Sequence, residues 1–262
     1  MYRFLLQGKW IALTLLMVVV APLSVVAADW QFNRWESRKS LNALVVANSL
    51  GPPQPIAALV AEGGVVDPAR EWRQVTATGR YLQDQSLLVR RQVVNGRTGF
   101  IVVTPLATDD GRVVVIERGW IAQAVSGSIV VPPAAPSGTV TVTGRLRPAV
   151  QGSGPMRPDD LPPQQVNWVD PLALGAAASL PGYDAFVEQI GSTPSDSALL
   201  TSRPAPEMSE GSHLSYVGQW ALIGLASIVI WVIVVRREAQ HLRAEREAAA
   251  ASDGSPAARA SG

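Results

Sequence analysis

The chain contains no cysteine among its 262 residues. Without thiols, any domain outside the cytoplasm folds without disulfides, and thiolate metal sites and thiol redox chemistry are excluded. Other soft ligands are also scarce, since there are two histidines and four methionines, one of them the initiator. That set is too small for a copper carrier, which needs several soft ligands.

An excess of charge of one sign is also missing, because the formal net charge is +1. A nucleic-acid-binding protein would carry a basic patch, so no nucleic-acid partner is predicted. The sequence also lacks a G-x-S-x-G nucleophile elbow, a phosphate-binding glycine loop and any clustered metal-ligand spacing. These absences predict that the chain is not an enzyme and has no catalytic residues.

What the chain has instead is two long apolar runs without charge, Ile11 to Ala28 and Val217 to Val235. At about 1.5 Å per residue, the second run forms about 28 Å of helix, enough to cross the hydrocarbon layer of a membrane. The first run is longer than the roughly 7–15 apolar residues of a signal peptide, and Trp10 and Trp30 bracket it as interface anchors. We predict a retained transmembrane helix; a signal peptide cleaved after Ala28 is the alternative.

The charges beside the second run predict the topology. Arg236 and Arg237 follow it, whereas Glu207 and Glu210 precede it, so the positive-inside rule places its C-terminal end in the cytoplasm. Two spans of a bacterial plasma membrane then place both termini in the cytoplasm and the middle of the chain outside the cell membrane. The predicted segments are a cytoplasmic N-terminus (1–10), two transmembrane helices (11–28 and 216–235), an extracytoplasmic domain (29–215) between them, and a partly disordered cytoplasmic tail (236–262).

The predicted outer domain alternates β-branched runs with turn signals. Candidate strands are 74–81, 86–94, 99–106, 112–117, 139–146, 165–170 and 183–190, with a short helix over 171–178. Short strands with close turns predict an α+β domain built on an antiparallel sheet or small barrel. Residues 109–111 (Asp-Asp-Gly) are typical of a hairpin turn, and Gly79 and Gly144 predict bulges or bends within strands. Residues 29–48 keep a helical period, so the first helix is predicted to continue into solvent.

Four motifs in this order are similar to those of one protein family. They are Trp30-Gln31 with Arg34; Glu71-Trp72-Arg73 before V-T-A-T-G-R-Y; Gly99-Phe100 with Thr104-Pro105-Leu106, then V-V-V-I-E-R-G-W-I; and His213-Leu214 with Tyr216 and Trp220. Up to about Arg237 the chain therefore resembles the Surfeit locus protein 1 family, the cytochrome oxidase assembly factors. It departs from the family's pattern at Glu117 and Ser212, where the family often has asparagine.

The resemblance implies an assembly factor for haem-copper cytochrome oxidase. Such a factor assists delivery of haem A to the catalytic subunit or its insertion there, or stabilises that subunit meanwhile. Haem A would then be a transient cofactor, and the partners would be the catalytic subunit of cytochrome oxidase, with haem A synthase as a second candidate, and the lipid membrane. The alternative is a membrane-anchored scaffold that binds the oxidase subunit without contacting haem.

His213 begins a stripe along the second membrane helix. At about 100° per residue, Tyr216, Trp220 and Trp231 all lie within roughly 60° of it. One interpretation is a packing face against the first helix, with small residues such as Gly224 allowing close approach. The other is a haem-contacting face of His213, Tyr216 and Trp220, in which His213 is the axial ligand, because imidazole is a common ligand of haem iron. No other metal site is predicted.

Trp30 and Arg34 are one helical turn apart, just beyond the first membrane run. One interpretation is an interface anchor beside an arginine that snorkels or binds a lipid headgroup. The other adds both residues to the cofactor site, with Arg34 paired to a haem propionate or to a carboxylate of the oxidase, because a guanidinium binds carboxylates through two hydrogen bonds.

Arg118, Gly119 and Trp120 follow a strongly apolar strand and form the candidate partner-binding motif. An internal role is the alternative, in which Gly119 permits a bend, Trp120 fills the end of the barrel and Arg118 pairs with an acid. The acidic pairs 109–110 and 159–160 are predicted to be turn residues and not catalytic pairs.

N-terminal sequencing of the mature protein tests the two-span topology. A retained first helix predicts that the purified protein keeps Trp10 and the whole run from Ile11 to Ala28. A mature chain that begins at Asp29 would instead mean that this run is a cleaved signal peptide.

Overall fold

The computed structural model of the protein describes residues 3–60, 64–123 and 130–253. The chain divides into two compact units, Met1–Ser40 with Ser209–Gly262, and Leu41–Met208. We call the first unit the helix pair and the second the barrel domain. The predicted disordered end of the tail lies, from residue 254 onward, outside the described residues.

The helices and strands of the described chain include all the predicted ones, with β1 (Gln54–Pro55) and α2 (Ile56–Leu59) in addition. They are α1 (Gly8–Ser49), β1 (Gln54–Pro55), α2 (Ile56–Leu59), β2 (Gln74–Tyr81), β3 (Leu87–Val94), β4 (Arg97–Thr108), β5 (Val113–Ala122), β6 (Val140–Pro148), β7 (Gln165–Val166), α3 (Pro171–Ala177), β8 (Gly182–Thr193) and α4 (His213–Asp253). The predicted strand 165–170 shortens to two residues because Asp170 caps α3, where its Oδ1 accepts hydrogen bonds from the backbone N of Leu172 and Ala173 at 2.9 and 3.1 Å.

Two long apolar helices, α1 and α4, make up the helix pair. Their most apolar stretches have mean hydropathies of 2.6 and 2.2, and both helices are long enough to cross a membrane. Large apolar side chains on both helices are not covered by the rest of the protein; for example, Leu15 is 58% exposed and Leu225 is 60% exposed. Lipid-facing helices need such a surface, so these helices identify a membrane protein. The predicted continuation of the first helix is confirmed, because α1 ends at Ser49.

The barrel domain is built on a closed barrel of five strands in the order β2-β6-β8-β5-β4, with β4 returning to β2. Its strand pairs are antiparallel except for β5 and β8, which are parallel. The small barrel predicted from the sequence is therefore confirmed, but its sheet is mixed and not wholly antiparallel. Parallel neighbours need a long crossover connection, and the chain between Ala122 and Gly182, which includes β6 and α3, supplies it.

Apolar side chains fill the barrel on the inside and cover part of it on the outside. The interior cluster includes Val75, Leu106, Val114, Ile116, Val142, Leu146 and Val187. Strands β3 and β7 extend the sheet beyond the barrel, next to β4. An outer cluster packs there; it consists of Ile101, Val103, Val115, Trp120 and Phe186, with Val169 just before α3 and Leu174 within α3. The chain between β6 and β8 therefore covers one outer face of the sheet.

Gly79 and Gly144 stand where neighbouring strands approach closely. At Gly79 strand β2 pairs with both β6 and β4, and a Cβ atom there would lie 2.0 Å from the carbonyl oxygen of Ala107. The register of β6 against β8 shifts at Gly144, where a Cβ atom would lie 2.4 Å from the carbonyl oxygen of Glu188. The predicted bulge is confirmed at Gly144, whereas β2 pairs through Gly79 without a register shift. Gly79 is instead required by the close approach of β4 where the barrel closes.

Replacement of Gly79 by alanine is expected to destabilise the barrel domain by about 1–3 kcal/mol or more, because a methyl group cannot fit against the Ala107 carbonyl. Thermal unfolding of the detergent-purified protein, followed by circular dichroism, measures the effect. Gly191→Ala, also in a barrel strand, is the matched control, since no described atom lies within 4 Å of its Cβ position. Equal melting temperatures for the two variants would contradict this account of closure.

Candidate functional site

The stripe on α4 faces α1 within the helix pair. A Cβ atom at Gly224 would lie 3.1 Å from the Cβ of Ser24, so the two backbones are close at this level. Further along, Nε1 of Trp231 donates a hydrogen bond to Oγ1 of Thr14 at 3.0 Å. The packing interpretation therefore describes Gly224 and Trp231 correctly, and Trp220 is half-buried between them and His213.

His213 lies opposite Gln31 at the start of α4. Its Nδ1 is 2.8 Å from Oε1 of Gln31, and because an amide oxygen only accepts hydrogen bonds, Nδ1 carries the proton. Nearby, Nε1 of Trp35 donates to Oε2 of Glu210 at 2.7 Å, so a second hydrogen bond ties this end of the helix pair. In the neutral imidazole, the proton on Nδ1 leaves the lone pair on Nε2 available to a ligand or metal.

Trp30, Arg34 and Tyr216 are exposed side chains near His213. Trp30 is 61% exposed and Tyr216 is 45% exposed. The contacts Gln31–His213 and Thr14–Trp231 make the two helices antiparallel. At about 100° per residue, all three side chains then fall on the same flank of the helix pair, beside the Gln31–His213 contact. Of the predicted cofactor residues, Trp30, Arg34 and Tyr216 thus share one flank, while Trp220 is half-buried on the stripe of α4.

Gln31 is the site residue that the sequence analysis did not single out. It stands in the Trp30-Gln31 motif with Arg34, but its side chain points at α4 while its two motif neighbours face away. The available signal was its place on the helix: it is seven residues beyond Ser24, so both lie on the same face of α1. A polar residue at that position of a packing face predicts a partner on the facing helix.

In the barrel domain, Arg118 is fully buried, with a side chain 0% exposed. Its Nε donates to Oδ2 of Asp196 at 2.9 Å. Its Nη1 and Nη2 donate to the carbonyl oxygens of Pro133 and Ala134 at 2.8 and 3.0 Å. The predicted pairing of Arg118 with an acid is confirmed, and its guanidinium is already occupied by groups of this chain.

Gly119 and Trp120 follow a bulge in β5 in which Arg118 is the extra residue, because Glu117 pairs with Val103 and Gly119 pairs with Val102. The register of β5 against β4 shifts here, and Gly119 has φ 148° with its Cβ position 3.0 Å from the carbonyl oxygen of Thr201. Trp120 is 6% exposed, and its Nε1 donates to the carbonyl oxygen of Gln92 at 3.1 Å. Gly119 has the predicted role at an irregularity of the strand, whereas Trp120 is buried in the outer cluster and not at the end of the barrel. Partner contact by residues 118–120 stays a prediction, and their burial does not support it.

The surroundings of Arg118 shift the pKa values of two neighbouring groups, Asp196 and Tyr81. Burial raises the pKa of Asp196, but hydrogen bonds from Arg118 and from the backbone N of Ser197 outweigh it, so the pKa lies below the ordinary 3.8. Burial, followed by the charge of Asp196, raises the pKa of Tyr81, whose hydroxyl donates to Oε1 of Gln189 at 3.0 Å. At neutral pH the cluster therefore holds an ionised Asp196 and a neutral Tyr81, an arrangement that stabilises the domain.

Comparison with known proteins identifies relatives that match most of the chain. The sequence profile of the SURF1 family matches residues 18–225. A SURF1-like protein of Mycobacterium bovis is 32% identical over 226 residues, which is 85% of this chain and 82% of that protein. A SURF1-like protein of Mycobacterium tuberculosis has the same identity, 32% over 226 residues. The cytochrome oxidase assembly protein SHY1 of Saccharomyces cerevisiae is 31% identical over 119 residues, or 44% of this chain and 29% of SHY1.

Replacement of Arg118 by methionine is expected to lower the free energy of unfolding by about 3–5 kcal/mol, because Asp196 would be left buried without its partner. Denaturant titration of the detergent-purified protein measures the loss. Arg80→Met is the control, since Arg80 is exposed on the barrel strand β2. It is expected to change stability by less than about 0.5 kcal/mol.

Acidification is expected to reduce the difference in the free energy of unfolding between the wild type and Arg118→Met. The pKa of Asp196 is depressed in the folded protein, so its pairing contributes stability above the unfolded pKa near 3.8, and this is lost as the pH falls through the folded pKa. In Arg118→Met the carboxyl of Asp196 has lost its arginine partner, so it takes up a proton at a higher pH than in the wild type. A difference that stays constant from about pH 7 to about pH 3 would contradict the assigned pair.

Proposed function

Because the chain belongs to the SURF1 family, we propose that it serves in the assembly of a haem-copper cytochrome oxidase and holds haem A transiently at His213. Family membership confirms the resemblance to the Surfeit locus protein 1 family. SHY1, which is similar to part of this chain, is a cytochrome oxidase assembly protein, and this similarity supports the assembly role. The candidate site on the helix pair supports the haem role.

The hydrogen bond between His213 and Gln31 is the observation that carries the haem proposal. Histidines that bind metals commonly donate the other ring N–H to an oxygen, which fixes the tautomer and the ring orientation and raises ligand basicity. His213 has this arrangement, with Nδ1 2.8 Å from Oε1 of Gln31. This arrangement supports the haem proposal, in which Nε2 of His213 would hold the haem iron.

The flank of the helix pair that carries Trp30, Arg34 and Tyr216 completes the proposed site. Trp30 and Tyr216 offer aromatic faces to a large planar ring, and Arg34 offers a guanidinium to a propionate or to a carboxylate of the oxidase. All three are exposed, so they do not have to leave internal partners in order to bind. Trp220 is half-buried about two helical turns further along α4, on the same stripe as His213, where its indole would contact the haem deeper in the membrane.

In this proposal the protein acts by binding and not by catalysis. Its partners are the catalytic subunit of cytochrome oxidase and, as the source of the cofactor, haem A synthase. The helix pair spans a bacterial plasma membrane with both termini in the cytoplasm, as the arginines after the second run favour. The barrel domain then lies outside, where it docks the oxidase subunit while His213 retains the cofactor at the membrane surface.

Variants of Gln31 test the role of the hydrogen bond. Gln31→Leu is expected to weaken haem A binding about 10–100-fold, because Nδ1 of His213 loses its acceptor. Gln31→Glu keeps an acceptor at that position and is expected to retain binding. His213→Ala is expected to abolish axial ligation. Titration of haem A into the detergent-purified protein, followed by absorbance, gives each affinity.

His241→Ala is the matched control for these variants, because it removes the other histidine of the chain, which is exposed on α4. It is expected to bind haem A as the wild type does. If His213→Ala bound haem A normally, the ligand assignment would be wrong. If His213→Ala also supported normal oxidase assembly in cells, the scaffold alternative would replace the haem proposal.

A further inference from the structure

A cavity of about 280 Å³ lies on the outer face of the barrel domain, beside the outer cluster. Much of its wall is apolar and comes from β3, β4, β8 and the segment between β6 and α3; it includes Val89, Ile101, Val103, Val150, Trp168 and Phe186. Small-molecule pockets typically measure about 300–1,000 Å³, so this one suits a compact ligand.

Trp168 is held in place at this cavity. Its Nε1 donates a hydrogen bond to the carbonyl oxygen of Gly154 at 3.1 Å. A Cβ atom at Gly152 would lie 2.4 Å from Cδ1 of the indole, so only glycine leaves room for the ring. The segment between β6 and α3 thus places a fixed aromatic side chain on the wall of the cavity, as a binding site requires.

Glu117 contributes a carboxylate to this cavity, and one of its oxygens lacks a hydrogen-bond donor. Oε2 is shielded from solvent, and none of the described residues donates a hydrogen bond to it. Burial raises the pKa of Glu117, and the charge of Arg203 does not fully offset that effect. A buried acceptor without a donor costs free energy, which a ligand donor would recover.

Two arginines line the cavity beside Glu117, and they are not equally free. Arg147 is held by Glu71 and Glu188, at 3.1 and 3.3 Å from their carboxylate oxygens. Nη1 of Arg203 lies 3.5 Å from Oε2 of Glu117, too far for a strong hydrogen bond. Nη2 of Arg203 donates to Oε1 of Gln92 at 3.3 Å. A guanidinium carries five N–H groups, so Arg203 retains others for an acceptor, while Glu117 retains an oxygen for a donor.

The pairing of these two groups selects the charge of the ligand. A cationic group would compete with Arg203 for the carboxylate, and an anionic group would face Glu117 across the cavity. A neutral group with one donor and one acceptor satisfies Oε2 of Glu117 and the guanidinium of Arg203 together. We propose that this cavity is a binding site for a neutral, compact, largely apolar compound that carries a hydroxyl or primary amide group.

Benzamide is the probe for this site, because it combines an apolar ring with an amide. The full chain, labelled with 5-fluorotryptophan and held in lipid nanodiscs, reports binding through the fluorine resonance of Trp168, assigned with Trp168→Phe. Benzamide is expected to shift that resonance saturably. Benzoate and benzylammonium are expected to bind about tenfold more weakly or worse, because each opposes one of the two charges.

Two variants of Glu117 distinguish binding of the probe in this cavity from its nonspecific partitioning into the lipid. Glu117→Ala removes the acceptor and is expected to weaken benzamide about fivefold or more. Asp159→Ala, which removes an exposed turn acid, is the control and is expected to leave binding unchanged. Glu117→Gln removes the charge but keeps the shape, and it is expected to bring benzoate to within about threefold of benzamide.

The three probes are compared on the wild-type protein, so this test does not depend on whether a variant folds. An absence of any saturable benzamide shift at Trp168 would overturn the proposal. Benzoate or benzylammonium binding as tightly as benzamide would overturn it as well, as would a folded Glu117→Ala variant with unchanged affinity for benzamide.

Discussion

Close approach of α1 and α4 is the constraint on which the candidate haem site depends. The two backbones approach closely at Ser24 and Gly224, where a side chain larger than that of glycine would crowd the facing helix. That approach holds the register in which Gln31 lies opposite His213. A shift of one helical residue would rotate Gln31 by about 100° and leave Nδ1 of His213 without its acceptor. Packing and cofactor binding are therefore compatible uses of one stripe.

The barrel domain depends in a similar way on one buried group. Arg118 reaches Asp196 and two backbone carbonyls of the segment between β5 and β6, so it ties that segment to the barrel. A buried ion pair of this kind adds little net stability over apolar packing, but it is costly to break. Its neighbour Glu117 faces the opposite way, toward the outer cavity, where it keeps an oxygen without a donor.

Local patterns along the chain predicted the two spans, most of the strands and the small barrel, because each depends on residues close together in sequence. The parallel pairing of β5 with β8 was not predictable, since it depends on a crossover of about sixty residues. The pairing of Arg118 with an acid was expected from burial, but nothing local distinguishes Asp196 from other acids. Likewise, the Gln31–His213 contact joins residues 182 positions apart, so only the packed helices reveal it.

The haem content of the protein purified from cells that make haem A tests the central claim most directly. The pyridine haemochrome spectrum identifies the haem, and magnetic circular dichroism reports its axial ligand. The account predicts bound haem A with histidine ligation that depends on residue 213, the histidine opposite Gln31. Protein free of haem, from cells in which it still supports oxidase assembly, would contradict the account.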